Sequence, residues 1–247
     1  MELKSFREIT LMKRAGAVAA GALTHVKSLV RPGVTTATLN EAVEEYIIGH
    51  KAVPSFKNYQ GFPAASCISV NEQVVHGFPG DRVLVEGDIV SIDVGALLDG
   101  YHGDTARTYP VGTIDPQAQR LIEITEKSFW DGIAFAKVGN RLGDISAAIQ
   151  ATAESAGYGV VRELVGHGIG VNLHESPDVP NYGKAGHGIR LQSGLTIAVE
   201  PMINAGTSKV FVLSDGWTVI TADGKYSAHY ENTIAITDGE PEVLTLS

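Results

Sequence analysis

A tight turn at Asp99-Gly100 constrains the fold of this chain more than any other feature of its sequence. Asp-Gly is typical of a two-residue hairpin loop, because both central residues of such a loop adopt positive φ. The turn joins two strands that we expect at 87–97 and 101–111. A two-residue loop pairs Leu98 with Tyr101, and this pair sets the register of the whole hairpin.

The hairpin register brings two carboxylates together. Asp93 is expected opposite Ala106, and Asp104 is expected opposite Gly95. The two aspartates are then diagonal neighbours on one face, with their Cβ atoms roughly 7 Å apart or less. Adjacent carboxylates repel each other and are costly to bury, and a bound cation would remove both penalties. The alternative is a solvated hairpin end with two ordinary surface aspartates.

Helices alternate with blocks of strands along the rest of the chain. A first helix is expected at 6–29, and a second begins with Thr38 as its N-cap and Glu41 as its capping-box partner. The second half starts again with a helix at 116–137, followed by another helix. Further strands are expected at 67–76, 159–173, 194–203, 208–222 and 226–237.

A faint internal repeat relates the two halves. Gly33 and Gly139 each separate two helices, and the residues around them match at an offset of 106 residues. This pattern predicts pseudo-repeats at about 6–112 and 116–240 with a site between them, although chance similarity of two amphipathic helices explains it equally well. Because no linker interrupts 1–247, we expect a single α+β domain with antiparallel sheet.

Charge and cysteine content restrict the classes of partner and compartment. The chain has 19 Lys and Arg against 28 Asp and Glu, a net charge of −9, so specific nucleic-acid binding is not expected. The single cysteine, Cys67, forms no intramolecular disulfide and favours a reducing, cytoplasmic location. No apolar run of about eighteen residues occurs, so no membrane association is expected.

Three residues outside the hairpin are further candidates for chemistry. His167 stands between Gly166 and Gly168, which we interpret as a backbone that can approach a ligand closely. Glu200 ends an apolar strand, where an ionised carboxylate requires a partner. Glu231 precedes another apolar strand. Each alone also fits an ordinary structural role.

Five groups of residues occur in the order and spacing of a known family and together span nearly the whole chain. On them the sequence resembles the type I methionine aminopeptidases. The residues are Asn71 to Pro79, Asp93 with Gly100 to Asp104, Gly166 to Gly170 with His174 to Pro177, Glu200 to Met202, and Glu231 to Thr233.

The resemblance implies a pita-bread fold, in which two pseudo-symmetric halves with antiparallel sheet and outer helices enclose a dinuclear metal centre. Asp104 and Glu231 would bridge two divalent ions, which the hard donor set leaves open as Co, Mn, Fe or Zn. A monovalent cation near Asn71 and Ser227 is a weaker implication. The implied ligands are Asp93, Asp104, His167, Glu200 and Glu231.

The resemblance also implies a mechanism. A metal-bridging hydroxide would attack the scissile carbonyl, with Glu200 as the general base. His76 and His174 would contact the scissile amide and the developing oxyanion. The methionine pocket maps to Tyr59, Phe62, Cys67, Leu173 and Trp217, of which Phe62 and Leu173 depart from the residues frequent in the family, as does Gln60 nearby.

The implied substrates are the N-termini of nascent polypeptides with a small second residue, with a transient ribosome contact possible and a monomeric enzyme expected. Prolidase and X-Pro aminopeptidase relatives share the ligand set and are the main rivals, although they usually carry an extra domain. A metal-free creatinase-like hydrolase would lack the full ligand set. A non-catalytic binding protein of the same fold is the alternative from another class.

Overall fold

The computed structural model describes residues 2–246 and contains four α-helices. Ser5 caps the first helix and forms a capping box with Glu8, which fixes its start. The helix ends at Lys27, two residues earlier than predicted. None of the helices within the described residues is long and apolar enough to cross a membrane. The helices are α1 (Phe6–Lys27), α2 (Thr36–Gly49), α3 (Pro116–Ile133) and α4 (Leu142–Ser155).

The second helix begins earlier than predicted. Thr35, not Thr38, is the N-cap of α2, and its side chain accepts a hydrogen bond from the Thr38 backbone N–H at 3.1 Å. Thr38 therefore lies inside the first turn, and the capping box with Glu41 predicted from sequence is wrong. Both threonines are followed by apolar residues at helical spacing, so sequence alone does not separate them.

The strands are shorter and more numerous than predicted. The run at 67–76 divides at Asn71, whose φ of 58° turns the chain, and the run at 226–237 divides at Tyr230. Neither turn contains Gly or Pro, the residues that mark turns in a sequence. The strands are β1 (Val53–Pro54), β2 (Ser66–Val70), β3 (Gln73–Val75), β4 (Ile89–Leu98), β5 (Tyr101–Pro110), β6 (Gly159–Val160), β7 (Gly166–Gly168), β8 (Glu175–Val179), β9 (Thr196–Val199), β10 (Met202–Asn204), β11 (Val210–Val212), β12 (Val219–Thr221), β13 (Ser227–His229), β14 (Glu231–Ala235) and β15 (Glu242–Val243).

A nine-stranded antiparallel sheet forms the centre of the fold. Its path runs β1-β4-β5-β14-β9-β7-β8, with β2 paired to β4 and β15 paired to β14. The predicted hairpin register is confirmed, because Leu98 pairs with Tyr101, and Asp99 and Gly100 adopt φ values of 52° and 84°. The sheet thus joins strands that are more than one hundred residues apart in the chain.

Each half of the chain places two helices on its own part of the sheet. Apolar residues of α1 and α2 pack with those of β2 and β4, and residues of α3 and α4 pack with those of β9 and β14. Helix α4 begins and ends 106 residues after α2, at 142 against 36 and at 155 against 49. Helix α3 likewise ends 106 residues after α1, at 133 against 27. These offsets support the predicted pseudo-repeats, which remain an inference.

The hairpin and the first helix approach each other closely through two glycines. A Cβ atom on Gly103 would lie 2.6 Å from both the Cα and the backbone N of Gly16. Such a distance requires α1 or β5 to move. The contact fixes the depth at which α1 lies on the strand that carries Asp104.

Gly103→Ala is expected to destabilise the protein by about 1 to 3 kcal/mol, because the backbone of α1 must shift. For a chain of this length the melting temperature should fall by about 2 to 12 °C. Gly49→Ala is the matched control, because a Cβ there meets no atom within 4 Å. Calorimetry of the two variants checks the prediction, and equal melting temperatures would contradict it.

Candidate metal centre and substrate pocket

One row of side chains crosses four strands of the central sheet. Cys67 pairs with Asp93, Asp93 pairs with Ala106, and Ala106 pairs with Glu231. Directly paired residues of antiparallel strands project from the same face. The pairing of β14 with β9, extended by one residue, places Glu200 opposite Glu231. Three carboxylates therefore lie along one row.

A second row runs beside the first. Asp104 pairs with Gly95 on one side, and on the other its backbone N–H donates to Thr233 Oγ1 at 3.0 Å. Thr233 pairs with Ala198, and Ala198 pairs with His167. The sheet thus brings together all five predicted ligands. Asp93 and Asp104 come from the β4–β5 hairpin. His167 comes from β7, Glu231 comes from β14, and Glu200 is the residue after β9.

Distances between the polar atoms show two overlapping groups. Asp104, His167 and Glu231 form one group, and Asp93, His229 and Glu231 form the other, with donor atoms within 4.8 Å of one another in each. Glu231 belongs to both groups, which suits a bridging ligand, whereas Asp104 belongs to the first group alone and its bridging role stays a prediction. Glu200 lies beside the first group, with Oε1 3.7 Å from His167 Nε2.

The carboxylates are buried without the partners that buried charges require. Within residues 2–246, Oδ1 of Asp93, Oδ1 of Asp104 and Oε1 of Glu231 have no hydrogen-bond partner. Burial, followed by the charge of Asp104, raises the pKa of Asp93, Glu200 and Glu231 well above their usual range. Burial also raises the pKa of Asp104 to about 7. Divalent cations supply the charge that this donor set lacks, so the residues fit such ions.

His167 presents a neutral nitrogen to the carboxylates. Burial, and then the charge of His174, lowers the pKa of His167 to about 3. Its Nδ1 lies 2.9 Å from the carbonyl oxygen of Gly168, a contact that requires a hydrogen on Nδ1. The Nε2 lone pair is then directed at Asp104 and Glu200, as in metal-binding histidines with a backbone partner.

The glycines beside His167 have a different role from the predicted one. A Cβ on Gly166 would lie 2.3 Å from the carbonyl oxygen of Ala198, and one on Gly168 would lie 2.6 Å from that of Ser176. The space is filled by neighbouring backbone and is not open to a ligand. These glycines therefore allow β8 and β9 to pack closely against β7, and the predicted approach of a ligand there is wrong.

Two further histidines line the cavity into which the carboxylates project. His76 follows β3 with a φ of 59°, a conformation that costs a side-chain-bearing residue energy and often marks a functional position. Burial lowers the pKa of His76 to about 4. His174 is exposed, and its Nδ1 lies 2.8 Å from the Tyr59 hydroxyl. The His174 and His167 ring centroids are 4.1 Å apart.

The cavity has an apolar wall next to the carboxylates. Phe62 stacks with Phe78 at 5.0 Å between centroids and meets Trp217 edge-on at 5.3 Å. Burial and the charge of Asp93 raise the pKa of Cys67 well above its usual range, so its thiol is neutral. Every predicted site residue lines this cavity: Tyr59, Phe62, Cys67, His76, Asp93, Asp104, His167, Leu173, His174, Glu200, Trp217 and Glu231.

The sequence analysis missed three residues of the site. Phe56 lines the cavity, and Gln60, noted only as a departure from the family, lines it too. No local signal distinguishes Phe56 from an ordinary core residue. His229 could have been found. It lies two residues before Glu231 in the predicted strand at 226–237, and alternate residues of a strand share a face.

Comparisons with known proteins agree with this geometry. The profile of metallopeptidase family M24 matches residues 10–238. The chain is 55% identical over 244 residues to a methionine aminopeptidase of Clostridium perfringens, covering 99% of this chain and 98% of that protein. The structure of methionine aminopeptidase from Thermotoga maritima superposes with a TM-score of 0.98 at 45% identity, covering both chains completely.

A prolidase shares the fold at a greater distance. The structure of prolidase from Pyrococcus furiosus has a TM-score of 0.81 with 23% identity. It covers 99% of this chain, whereas the chain covers only 65% of the prolidase. This likeness extends to the fold alone.

Proposed function

The chain belongs to metallopeptidase family M24, among its type I methionine aminopeptidases, and we propose that its five-ligand centre binds two divalent ions. It removes the N-terminal methionine from polypeptides. The observation that supports this activity best is the position of the buried, unpartnered carboxylate oxygens beside an apolar cavity wall. One end of the cavity suits metals, and the other suits a thioether side chain.

Bound divalent ions supply positive charge that polarises a carbonyl and lowers the pKa of a water molecule. In our proposal Glu200 takes the proton of that water and passes it to the leaving amine. Glu200 suits this role because it follows the end of β9 and lines the cavity, with one oxygen facing His167.

His76 and His174 bind the reacting amide in this proposal. Burial lowers the pKa of His76 to about 4, and partial desolvation of the His174 ring in the cavity wall lowers its pKa too, although the residue as a whole is exposed. Each is then a neutral imidazole with one N–H group at neutral pH. If the Tyr59 hydroxyl donates to His174 Nδ1, the hydrogen of His174 lies on Nε2. That N–H can then donate to the developing oxyanion, and His76 can contact the scissile amide.

The apolar wall determines which first residue is accepted. Tyr59, Phe62, Cys67, Leu173 and Trp217 line the cavity and belong to one apolar cluster. An unbranched, flexible thioether fills such a space by van der Waals contact, whereas a branched side chain meets a wall. The second residue of the substrate would lie near His76 and His174, where a large side chain collides with the rim.

Peptide assays test this specificity. Met-Ala-Ser should be cleaved clearly faster than Leu-Ala-Ser, Met-Leu-Ser and Ala-Pro-Ser under the same metal conditions. The loss for leucine in the first position is limited, because a misfit of one methylene group is worth only about 1 to 3 kcal/mol.

The ranking also separates the rival activities. Preference for Ala-Pro-Ser would assign the chain to X-Pro hydrolysis, and equal rates for Met-Ala-Ser and Met-Leu-Ser would remove the proposed second-residue selection. Neither outcome would change the metal centre. A chain that binds metal and cleaves none of the four peptides would instead be a binding protein.

We also propose a location, an oligomeric state and a set of ions, as the family suggests. The enzyme would act in the cytoplasm as a monomer, with a transient ribosome contact, on newly made chains. The native ions would be Co, Mn, Fe or Zn. A monovalent cation near Asn71 and Ser227 is supported only by their proximity, since the Ser227 N–H donates to the Asn71 carbonyl oxygen at 2.8 Å.

A further inference from the structure

His229 is a buried histidine to which the mechanism above gives no role. Only 2% of its surface is exposed, although it is a polar residue in the interior. Neither Nδ1 nor Nε2 has a hydrogen-bond partner among the described residues. Burying a polar group without a partner costs free energy, so native structures rarely leave both ring nitrogens unmatched. The ring therefore has a function in a ligand-bound form.

The neighbours of His229 are metal ligands. Its Nε2 lies 3.7 Å from Glu200 Oε2 and 3.8 Å from Glu231 Oε2. Both distances are too long for hydrogen bonds. Two donors that bind one ion at about 2.1 Å each are at most about 4.2 Å apart, so 3.8 Å fits an ion between His229 and Glu231.

The strand geometry keeps the ring in this position. His229 pairs with Met202 of β10 at the end of β13. Its backbone N–H donates to Thr108 Oγ1 at 2.9 Å, and Thr108 Oγ1 in turn lies 2.9 Å from the His229 carbonyl oxygen. The backbone is thus held on both sides, and Asp93 completes a group of three donors with Glu231.

We propose that His229 is a sixth protein ligand, which binds the ion held by Asp93 and Glu231. The inference rests on the proposed dinuclear centre. Each ion then has one imidazole, His167 for the first and His229 for the second, together with carboxylate oxygens. A nitrogen donor at both positions favours Zn, Co and Fe over Mg and Ca. The second ion should therefore bind more tightly than carboxylates alone allow.

Coupling between cadmium and nitrogen nuclei tests the ligand directly. Protein labelled with ¹⁵N-histidine and loaded with two equivalents of ¹¹³Cd²⁺ should show two imidazoles whose Nε2 signals are split by the metal. His229→Gln should leave one split signal, from His167. Because changes in residues that merely support a ligand weaken metal binding by about 10- to 100-fold, loss of this ligand should weaken the second Co²⁺ at least about tenfold.

His102→Gln is the matched control, because His102 is not in either metal group and its Nδ1 lies 2.9 Å from Ser55 Oγ. It should keep both split signals. If the wild-type protein binds two ions but only one imidazole is split, the role of His229 is overturned. If the wild-type protein fails to bind two ions, the dinuclear centre itself is wrong. Even if His229→Gln does not fold, a wild-type spectrum with one split imidazole overturns the proposal.

Discussion

Glu200→Gln should lower kcat by about a thousandfold or more while the protein remains folded. The substitution removes the proposed general base, which alone contributes about 10² to 10⁴ in rate, and it weakens a metal ligand as well. Gln has nearly the same size and shape as Glu, so the packing at the end of β9 changes little. Assays of Met-Ala-Ser at saturating metal, with circular dichroism to check the fold, measure the effect.

A second measurement on the same variant separates chemistry from damage to the fold. Without metal, Glu200 is one of four clustered carboxylates whose ionised forms are disfavoured by burial, and for three of them also by the charge of Asp104. Folding the metal-free protein at neutral pH costs free energy to protonate Glu200 or to bury its charge, and Gln has no such cost. The substitution should therefore raise the melting temperature of the metal-free protein. Glu123→Gln, on the exposed side of α3, should change neither property. Turnover at the wild-type rate in Glu200→Gln would contradict the assignment.

Removal of the metals should lower the melting temperature by about 10 to 20 °C. An ion present at a hundred times its dissociation constant stabilises the folded state by about 2.7 kcal/mol, so two ions contribute about 5 kcal/mol. For a chain of this length each kcal/mol changes the melting temperature by about 2 to 4 °C. Scanning calorimetry with and without a chelator, and after Mn²⁺ is restored, gives the shift.

The control for chelation is a variant in which the centre is already impaired. Asp104→Asn removes a ligand that pairs with Gly95 and has an unpartnered oxygen, without a large change of shape. Its melting temperature should respond little to the chelator. If the wild-type protein also fails to respond, the buried carboxylates are stabilised by something other than metal.

The sequence predicts local parts of the site better than distant ones. The positions of Asp93 and Asp104 follow from a two-residue turn, because the register of a hairpin depends on its loop. The row that continues to Glu231 and Glu200 depends on the pairing of β5 with β14 and of β14 with β9. These strands are far apart in the chain, and their register follows from the whole core. Their strand-end positions made Glu200 and Glu231 candidates, but only the family resemblance joined them to the two aspartates in one site.

The missed features have a similar physical origin. The turn at Asn71 uses a positive φ in a residue other than glycine, so periodicity alone predicts an unbroken strand. The glycines around His167 were misinterpreted because close strand packing and space for a ligand both require the absence of a side chain.

The position of the ligands on separate strands also affects how fast the protein unfolds. Asp93 and Asp104 lie on the β4–β5 hairpin, whereas Glu231 lies on β14, more than one hundred residues later. When ions join these strands, the sheet cannot separate between β5 and β14 until at least one ion has dissociated. The lifetime of the native state against a protease is then limited by metal dissociation. A tightly binding but rapidly exchanging ion would protect the enzyme less than a slowly exchanging one of equal affinity.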